Sequence, residues 1–378
     1  MKVALIHDWL NQIGGAEDVL ETLVSMHPQS PIYTSIYWRK KMPAHWRTWD
    51  IRTSYIDRLP LAYKKQQIYF PFYPHAFEQF DFRGYDLVIS NKSGFCHGVI
   101  TGTETTHICY CLTPTRYVWR YHQYAEQENL GWGMRAGLSP FLTALRQWDR
   151  LAADRVDHFI AISAEIQRRI AKIYRRESVI IYPPVETTRF APSNRVGDYY
   201  LLVGRLVPYR RIDLLIEAFN VMKRPLLIAG NGRDRERLEA MAGPTVEFLG
   251  YVPDDDLPDL LARCRAFMFP GEEDFGIAPI QAMAAGRPVI AYAAGGALET
   301  IVDGETGTFF YEQSVGAIIA AVEGFDADSV ETAVCRQQAE KFDTAVFKKR
   351  LNRFIEQKME EKLEDGARAR GKRGRKSA

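Results

Sequence analysis

Along the chain, short apolar runs alternate with stretches in which apolar residues recur every three to four positions. Residues 2–7 (KVALIH) form a run of the first kind; 11–15 follow as a glycine turn, and 16–26 carry apolar residues at helical spacing. That pattern predicts strand, turn, helix. Residues 86–90 (DLVIS), 107–111 and 159–163 (FIAIS) repeat the strand signal, the last leading into a helix from Ala164. Strand alternating with helix implies a parallel sheet. Residues 182–198 hold three prolines and little periodicity, and are read as a linker. The alternation restarts at 199–203 (YYLLV) and continues through 225–229, 246–249, 266–269 and 288–291. The expectation is therefore an α/β protein of two Rossmann-like, doubly wound domains. Ligands of such sheets bind outside the C-terminal strand ends, so the cleft between the domains is the expected site.

Length and composition agree with two domains. The chain has 378 residues, 46% hydrophobic and 25% charged, more than one core usually organises. No basic and apolar leader follows Met1, and no apolar run approaches the ~20 residues of a membrane span, so a cytoplasmic protein is expected. Cys96, Cys109, Cys111, Cys264 and Cys335 are scattered without paired zinc-site spacing and read as reduced core thiols. The net charge of +2 hides an asymmetry. Residues 366–378 hold six basic side chains and no acid, so the remainder carries −4. This tail reads as disordered, either solubilising or adhering to anionic lipid. Nucleic-acid binding is not expected, since the folded part has no basic surplus. Between 117 and 155, Trp119, Trp132 and Trp148 interleave with Arg120, Arg135, Arg146 and Arg150. Such a region suits a surface meeting a lipid headgroup or amphipathic acceptor; a helix packed on the sheet with solvated arginines fits equally.

The most informative stretch is 267–290. A buried strand ends at Pro270, acids and Gly276 form a turn, and a helix opens near Ile277 and closes at Gly286. The free amides at the helix start suit a phosphate. Glu273 precedes the helix and Gln281 lies eight residues on, roughly 12 Å at helical rise, about the span from a sugar to a ribose across a diphosphate. In 203–218 (VGRLVPYRRIDLLIEA), Arg205 follows a strand and Gly204, with Arg210 five residues later. Two guanidiniums there can bind a diphosphate bidentately.

The phrases GRLVPYR, AGNG, EDFGIAPIQAMAAGRPV and AGGALETIVDGETG, with HDWLNQIGGAEDVLE and HICYCLTPTRYVW in the first half, resemble the family 4 retaining glycosyltransferases of the two-domain B-type fold. The N-terminal phrases are similar to those of mannosyltransferase-like members that build bacterial exopolysaccharide or O-antigen repeats. The resemblance extends to about Lys362 and implies an acceptor-binding domain at 1–184, a linker at 185–198, a donor-binding domain at 199–345, a C-terminal helix at 346–362 and the tail at 363–378. It makes Arg205 and Arg210 diphosphate ligands, with Arg210 where the family usually has lysine. Glu273 becomes a sugar-hydroxyl ligand. Gly14 and Gly15 form a loop close to the diphosphate; Gly204, Asp274, Phe275, Gly276 and Ile277 line the donor; Tyr251 and Val252 meet the base. Two positions depart from the pattern. Gln281 replaces a second glutamate, and Leu112 replaces a histidine in an HTP phrase; His97 and His107 are candidate substitutes, with a structural role the alternative for each, while His7 and Asp8, ending the first strand beside the glycine loop, read as auxiliary site groups or as turn chemistry. The implied activity is metal- and cofactor-independent transfer of a hexose, mannose from GDP-mannose above all, to a lipid-linked or polysaccharide-precursor acceptor, with the enzyme in peripheral contact with the inner face of an anionic membrane. A non-catalytic nucleotide-sugar-binding scaffold and a nucleotide-sugar epimerase are the alternatives. A dehydrogenase is rejected because Arg235 stands where the third glycine of a nicotinamide fingerprint belongs, and Asp254, Asp255 and Asp256 read as helix caps rather than metal ligands.

Overall fold

Residues 1–121, 125 and 131–374 are described by the computed structural model. Runs of buried apolar side chains become central strands, because a parallel strand is covered on both faces. Strands β1 (Val3–His7), β2 (Ile32–Thr34), β3 (Ile51–Thr53), β4 (Leu87–Lys92), β5 (Thr106–Cys111), β6 (His158–Ala161) and β7 (Ser178–Ile180) form one sheet in the order β3-β2-β1-β4-β5-β6-β7. Strands β8 (Tyr200–Val203), β9 (Leu226–Ala229), β10 (Val246–Gly250), β11 (Ala266–Phe269), β12 (Val289–Tyr292) and β13 (Gly307–Phe310) form a second, in the order β10-β9-β8-β11-β12-β13. Every pairing is parallel. The two doubly wound domains expected from the sequence are present. Strands β2, β3, β7 and β13 are additions, three or four residues each, too short to show a period of two.

In each sheet the chain winds outward from its first strand, then returns to that strand's other side. The reversal lies between β1 and β4 in one sheet and between β8 and β11 in the other, and a crevice opens at such a point. The helices are α1 (Gly15–Met26), α2 (Tyr73–Glu78), α3 (Arg116–Trp119), α4 (Trp132–Ala152), α5 (Ala164–Tyr174), α6 (Ile212–Met222), α7 (Arg235–Met241), α8 (Leu257–Arg263), α9 (Ile277–Ala284), α10 (Ala297–Thr300), α11 (Val315–Gly324), α12 (Thr332–Glu340) and α13 (Thr344–Gly374). The region between 117 and 155 thus carries α4, whose Leu142 and Leu145 pack into an aromatic core with Trp9, Phe70, Tyr73 and Phe95. All five cysteines are buried free thiols.

The chain crosses between the sheets twice at one place. The Val185 amide donates to the Phe342 carbonyl (3.0 Å), and the Thr344 amide donates to the Val185 carbonyl (3.1 Å). From there α13 returns to the first sheet, where Phe347 meets Tyr110, Phe354 meets His158, and Lys362 Nζ donates to Thr106 Oγ1 at 3.3 Å. The helix expected over 346–362 is longer, and the tail expected to be disordered from 363 is helical in its backbone to Gly374. Leucine, glutamate, alanine, arginine and lysine all favour the helix, and each of the two glycines before Gly374 costs only about 1 kcal/mol, so like charges alone do not end it. Residues 375–378 lie outside the described part.

Candidate functional site

Strand β8 delivers Gly204 to the crevice with φ 157°, and a Cβ there would fall 1.6 Å from Arg210 Nη1. Only glycine leaves room for that guanidinium against the strand end. Arg210 closes the 3₁₀ turn Pro208–Arg210, and its Nη2 lies 2.7 Å from Glu273 Oε1, each side chain less than one-fifth exposed. Burial pulls the Arg210 pKa down, but Glu273 and Tyr209 outweigh it and the net direction is up. Arg210 Nε is buried without a hydrogen-bond partner, a donor that an oxygen of a ligand would satisfy. Arg205, next to Gly204, is exposed and forms no ion pair among the described residues. Glu273 stands on the loop after β11, whose return is braced from behind by the Gly296 amide donating to the Glu273 carbonyl at 2.9 Å. Gly276, at φ 87°, is the N-cap of α9.

The first domain supplies the opposite wall. Gly14 is the N-cap of α1, and a Cβ on Gly15 would come within 2.7 Å of Ile277 Cδ1, so the glycine loop touches the start of α9. Arg169 Nη1 donates to Asp274 Oδ1 at 2.5 Å and lies 3.7 Å from Glu272 through Nη2; Arg116 Nη2 lies 3.5 Å from Asp274 Oδ2. Arg116 also feels the Glu273 charge and the Tyr209 hydroxyl. Glu299 accepts the amide of Ala164 with both oxygens, at 2.8 and 2.9 Å, at the start of α5. Phe275 stacks on Tyr182, with centroids 5.6 Å apart.

The structure therefore brings Gly14, Gly15, Gly204, Arg210, Glu273, Asp274, Phe275, Gly276 and Ile277 together. Asp274, expected to line the donor, is engaged by arginines of the other domain. Gln281 is half-buried on α9. Tyr251 follows Gly250 at the end of β10 and is 71% exposed, and Val252 is half-buried beside it. His97 and His107, the candidate substitutes for the histidine absent at Leu112, and His7 beside the glycine loop are all interior groups. His7 is buried at the end of β1, with Nε2 3.3 Å from Glu17 and Nδ1 3.2 Å from Asn91. His97 is fully buried, its Nε2 3.2 Å from the Asp149 carbonyl, and burial drives its pKa well down. His107 lies near the start of β5, away from the crevice end, and pairs with Ser90 Oγ at 2.9 Å; burial lowers its pKa to about 3. His97 and His107 are thus corrected to structural positions, since both rings are wholly buried, His97 in the 3₁₀ turn Cys96–Gly98 and His107 inside β5. Asp8 is occupied as well, accepting the amides of Ser93, Gly94, Phe95 and Cys96 at 2.6–2.8 Å.

Arg116, Arg169 and Glu299 were not foreseen. Arg116 follows directly on TPT, and Arg169 stands four residues after Glu165, so both are visible as polar groups after a strand, but their partner Asp274 lies 158 and 105 positions away in the chain. Beneath the loop 112–119 lies a second unforeseen feature. Asp149, wholly buried, accepts from Thr115 Oγ1 (2.5 Å), Trp119 Nε1 (2.6 Å) and Tyr174 Oη (2.8 Å). Lys92 Nζ, also buried, donates to Thr113 O and Thr115 Oγ1. Burial opposes its charge, but Asp149 foremost among its neighbours raises its pKa overall. This network fixes the loop after β5 at the crevice. Among the described residues no group of three or more His, Cys, Asp or Glu stands together as metal ligands, and no helix is long and apolar enough to cross a membrane.

Residues 13–189 match the family described as glycosyltransferase family 4, and residues 186–342 match glycosyl transferases group 1. The chain is 32% identical over 237 residues to a GDP-mannose-dependent alpha-(1-6)-phosphatidylinositol monomannoside mannosyltransferase of Mycolicibacterium smegmatis, covering 54% of this chain and 57% of that one. It is 28% identical over 153 residues to the O-antigen chain mannosyltransferase RfbU of Salmonella typhimurium, covering 37% and 43%. The chain spans about half the length of the curated relatives it matches. Among solved structures, Anabaena HepE in complex with UDP is similar with a TM-score of 0.71 at 17% identity, covering 94% of this chain and all of the other. Sucrose-phosphate synthase of Thermosynechococcus elongatus reaches 0.73 at 18%, covering 94% and 99%. These likenesses establish the B-type, two-domain fold.

Proposed function

The chain joins a glycosyltransferase family 4 domain to a glycosyl transferases group 1 domain, and we propose that it transfers a hexose from a nucleotide diphosphate sugar, with retention at the anomeric carbon, to a lipid-linked or polysaccharide-precursor acceptor on the cytoplasmic side of the cell envelope. The observation that carries this is the Arg210–Glu273 pair at the second sheet's switch point, facing Gly15 across the crevice. A diphosphate entering there meets Arg210, the free guanidinium of Arg205 and the first amides of α9. Glu273, relieved of Arg210, accepts hydrogen bonds from sugar hydroxyls. The acceptor oxygen attacks the anomeric carbon on the face from which the diphosphate leaves; the carbon–oxygen bond to phosphate breaks, and the acceptor proton passes to the departing phosphate oxygen. The protein contributes position and charge rather than a nucleophile of its own, and no metal or cofactor is assigned a part.

GDP-mannose is the proposed donor, because the Mycolicibacterium relative is named as GDP-mannose-dependent and RfbU as a mannosyltransferase. UDP-hexoses are the competitors, since HepE is described in complex with UDP-glucose. The test is a panel of labelled nucleotide sugars incubated with the pure protein. Slow release of mannose from GDP-mannose, faster than hexose release from UDP-glucose, is the expected result. Binding with no turnover of any donor would instead support a scaffold, the reading that Gln281 and Leu112 favour.

A further inference from the structure

A second cavity opens on the first domain's wall of the crevice, about 640 Å³ in volume, between the loop after β5, the end of α4 and the outer side of α5. Thr113, Pro114 and Trp119 form its floor, and its rim is basic, with Arg120, Arg150, Lys172 and Arg175. Arg150 is paired with Asp154 at 2.7 Å. Arg120, Lys172 and Arg175 are exposed and make no ion pair among the described residues. The acid of the lining, Glu165, is already spent on Arg168 and Arg169. The cavity therefore carries an uncompensated positive charge. Arg169 forms the partition between it and the site, since the same side chain bonds Asp274 beside Glu273.

Helix α4, which supplies Arg150, has a contrasting outer face. From Trp132 to Gln147 its exposed positions carry no charged side chain among those described, and Trp132 (86% exposed), Phe141 and Leu151 stand out from it. Arginines 135 and 146 turn inward to the carbonyls of Ala125 and Val118. A helix with its charges turned in and its large apolar groups turned out suits a hydrocarbon neighbour.

Resting on the proposed transferase reading, we propose that this cavity is the subsite for the phosphate or diphosphate of a lipid-borne acceptor. Arg120, Lys172 and Arg175 hold the anion, and the acceptor's chain lies along α4. Guanidinium and ammonium groups unpaired around a common pocket are the chemistry that captures a phosphate ester, and the position of Arg169 places the saccharide beyond that phosphate at the reaction centre. A neutral sugar acceptor has no use for this charge, so the subsite selects acceptors that carry phosphate.

Farnesyl diphosphate is the probe. Calorimetric titration into the full-length chain is compared with the triple variant Arg120→Gln, Lys172→Gln, Arg175→Gln, and with Arg205→Gln as control for the nucleotide's own diphosphate site. The expected result is affinity at least tenfold weaker in the triple variant, a change below threefold in Arg205→Gln, and at least tenfold weaker binding of both farnesol and inorganic pyrophosphate by the unaltered chain. Because the three replaced side chains are exposed and unpaired, the melting temperature should stay unchanged, which separates lost binding from lost folding. Equal affinity in the unaltered and triple-variant chains overturns the proposal, as does farnesol binding as tightly as its diphosphate. Pyrophosphate binding as tightly as farnesyl diphosphate, and weakened by the triple substitution rather than by Arg205→Gln, assigns the pocket to a soluble anion and overturns the lipid-borne acceptor. Failure of the transferase reading appears elsewhere, as absence of donor turnover in the unaltered chain.

Discussion

Arg210 concentrates the chemistry of the site in one side chain, because the same guanidinium is packed on Gly204, paired with Glu273 and left with a free buried Nε–H. Removing it strands Glu273 in a partly buried position and removes the donor to a leaving phosphate. Arg210→Ala is expected to lower turnover ~100-fold or more, as loss of one oxyanion donor does, whereas Arg210→Lys keeps the charge without the fork and should lie between. Steady-state kinetics with GDP-mannose decide it; near-normal turnover of the alanine variant removes Arg210 from the mechanism. Since arginines carry the leaving-group charge in this scheme, dialysis against EDTA should leave donor turnover unchanged, and a loss restored by added divalent cation contradicts it. His107 makes a separate prediction about stability. Unfolded, it takes up a proton near pH 6.5; folded, burial holds its pKa down to about 3. Between those values the unfolded state binds the extra proton, so stability falls as pH drops, by about 1.4 kcal/mol per pH unit below 6.5. Melting curves of the unaltered chain and of His107→Gln should therefore converge from pH 7 to pH 5; parallel curves refute the buried neutral imidazole.

The start of α9 depends on a turn that the sequence announced and a brace that it did not. Gly276 adopts φ 87°, and a Cβ there would also fall 2.9 Å from Phe269 Cζ. Gly276→Ala should destabilise by about 1–2 kcal/mol from backbone strain alone and raise the donor KM by shifting the first amides of α9. Thermal melting and kinetics together check this, and a variant with unchanged KM would mean those amides do not meet the donor. The legibility of the chain divides along the same line. Runs such as VALIH and AFMF are buried on both faces, and Gly276 and Gly204 are local backbone necessities, so strand, turn and helix at the switch points could be read directly. Strands β2, β3 and β7, three residues each, have no period to detect. The brace of Glu273 by Gly296 and the engagement of Asp274 by Arg169 join residues that no local pattern relates. The turn alone puts Asp274 at the donor while its carboxylate is held by the other domain, and the sequence leaves a structural and a site role open for His97 and His107 because it does not display their burial. The end of α13 is hidden for a different reason: clustered like charge suggests disorder, whereas the same residues favour the helix that runs to Gly374.

Beside the apolar core that runs through both domains, a set of polar contacts between them converges on the site. Arg169 and Arg116 hold Asp274, Glu299 caps α5 of the opposite domain, and Gly15 lies against Ile277. Behind them the crossover at Val185 and Phe342, with Phe342 packed against both Tyr182 and Phe275, joins the domains whatever the state of the cleft. The carboxylates therefore act as a latch and the crossover as a hinge, an arrangement in which closing the cleft also sets Glu273 and Arg210 opposite the glycine loop. Replacing Asp274 by Asn with Glu299 by Gln removes the latch charges and leaves the backbone bonds of the crossover, Arg205 and Arg210 in place. The double variant should keep its melting temperature within a few degrees, scatter X-rays with a larger radius of gyration, and show donor KM raised about tenfold, equivalent to some 1.4 kcal/mol of closing energy, with a smaller change in kcat at saturation. If the radius and KM both stay as in the unaltered chain, the ion pairs follow closure rather than maintain it, and the closed cleft must rest on the apolar contacts between the domains, those of Ile277 and Phe275 among them.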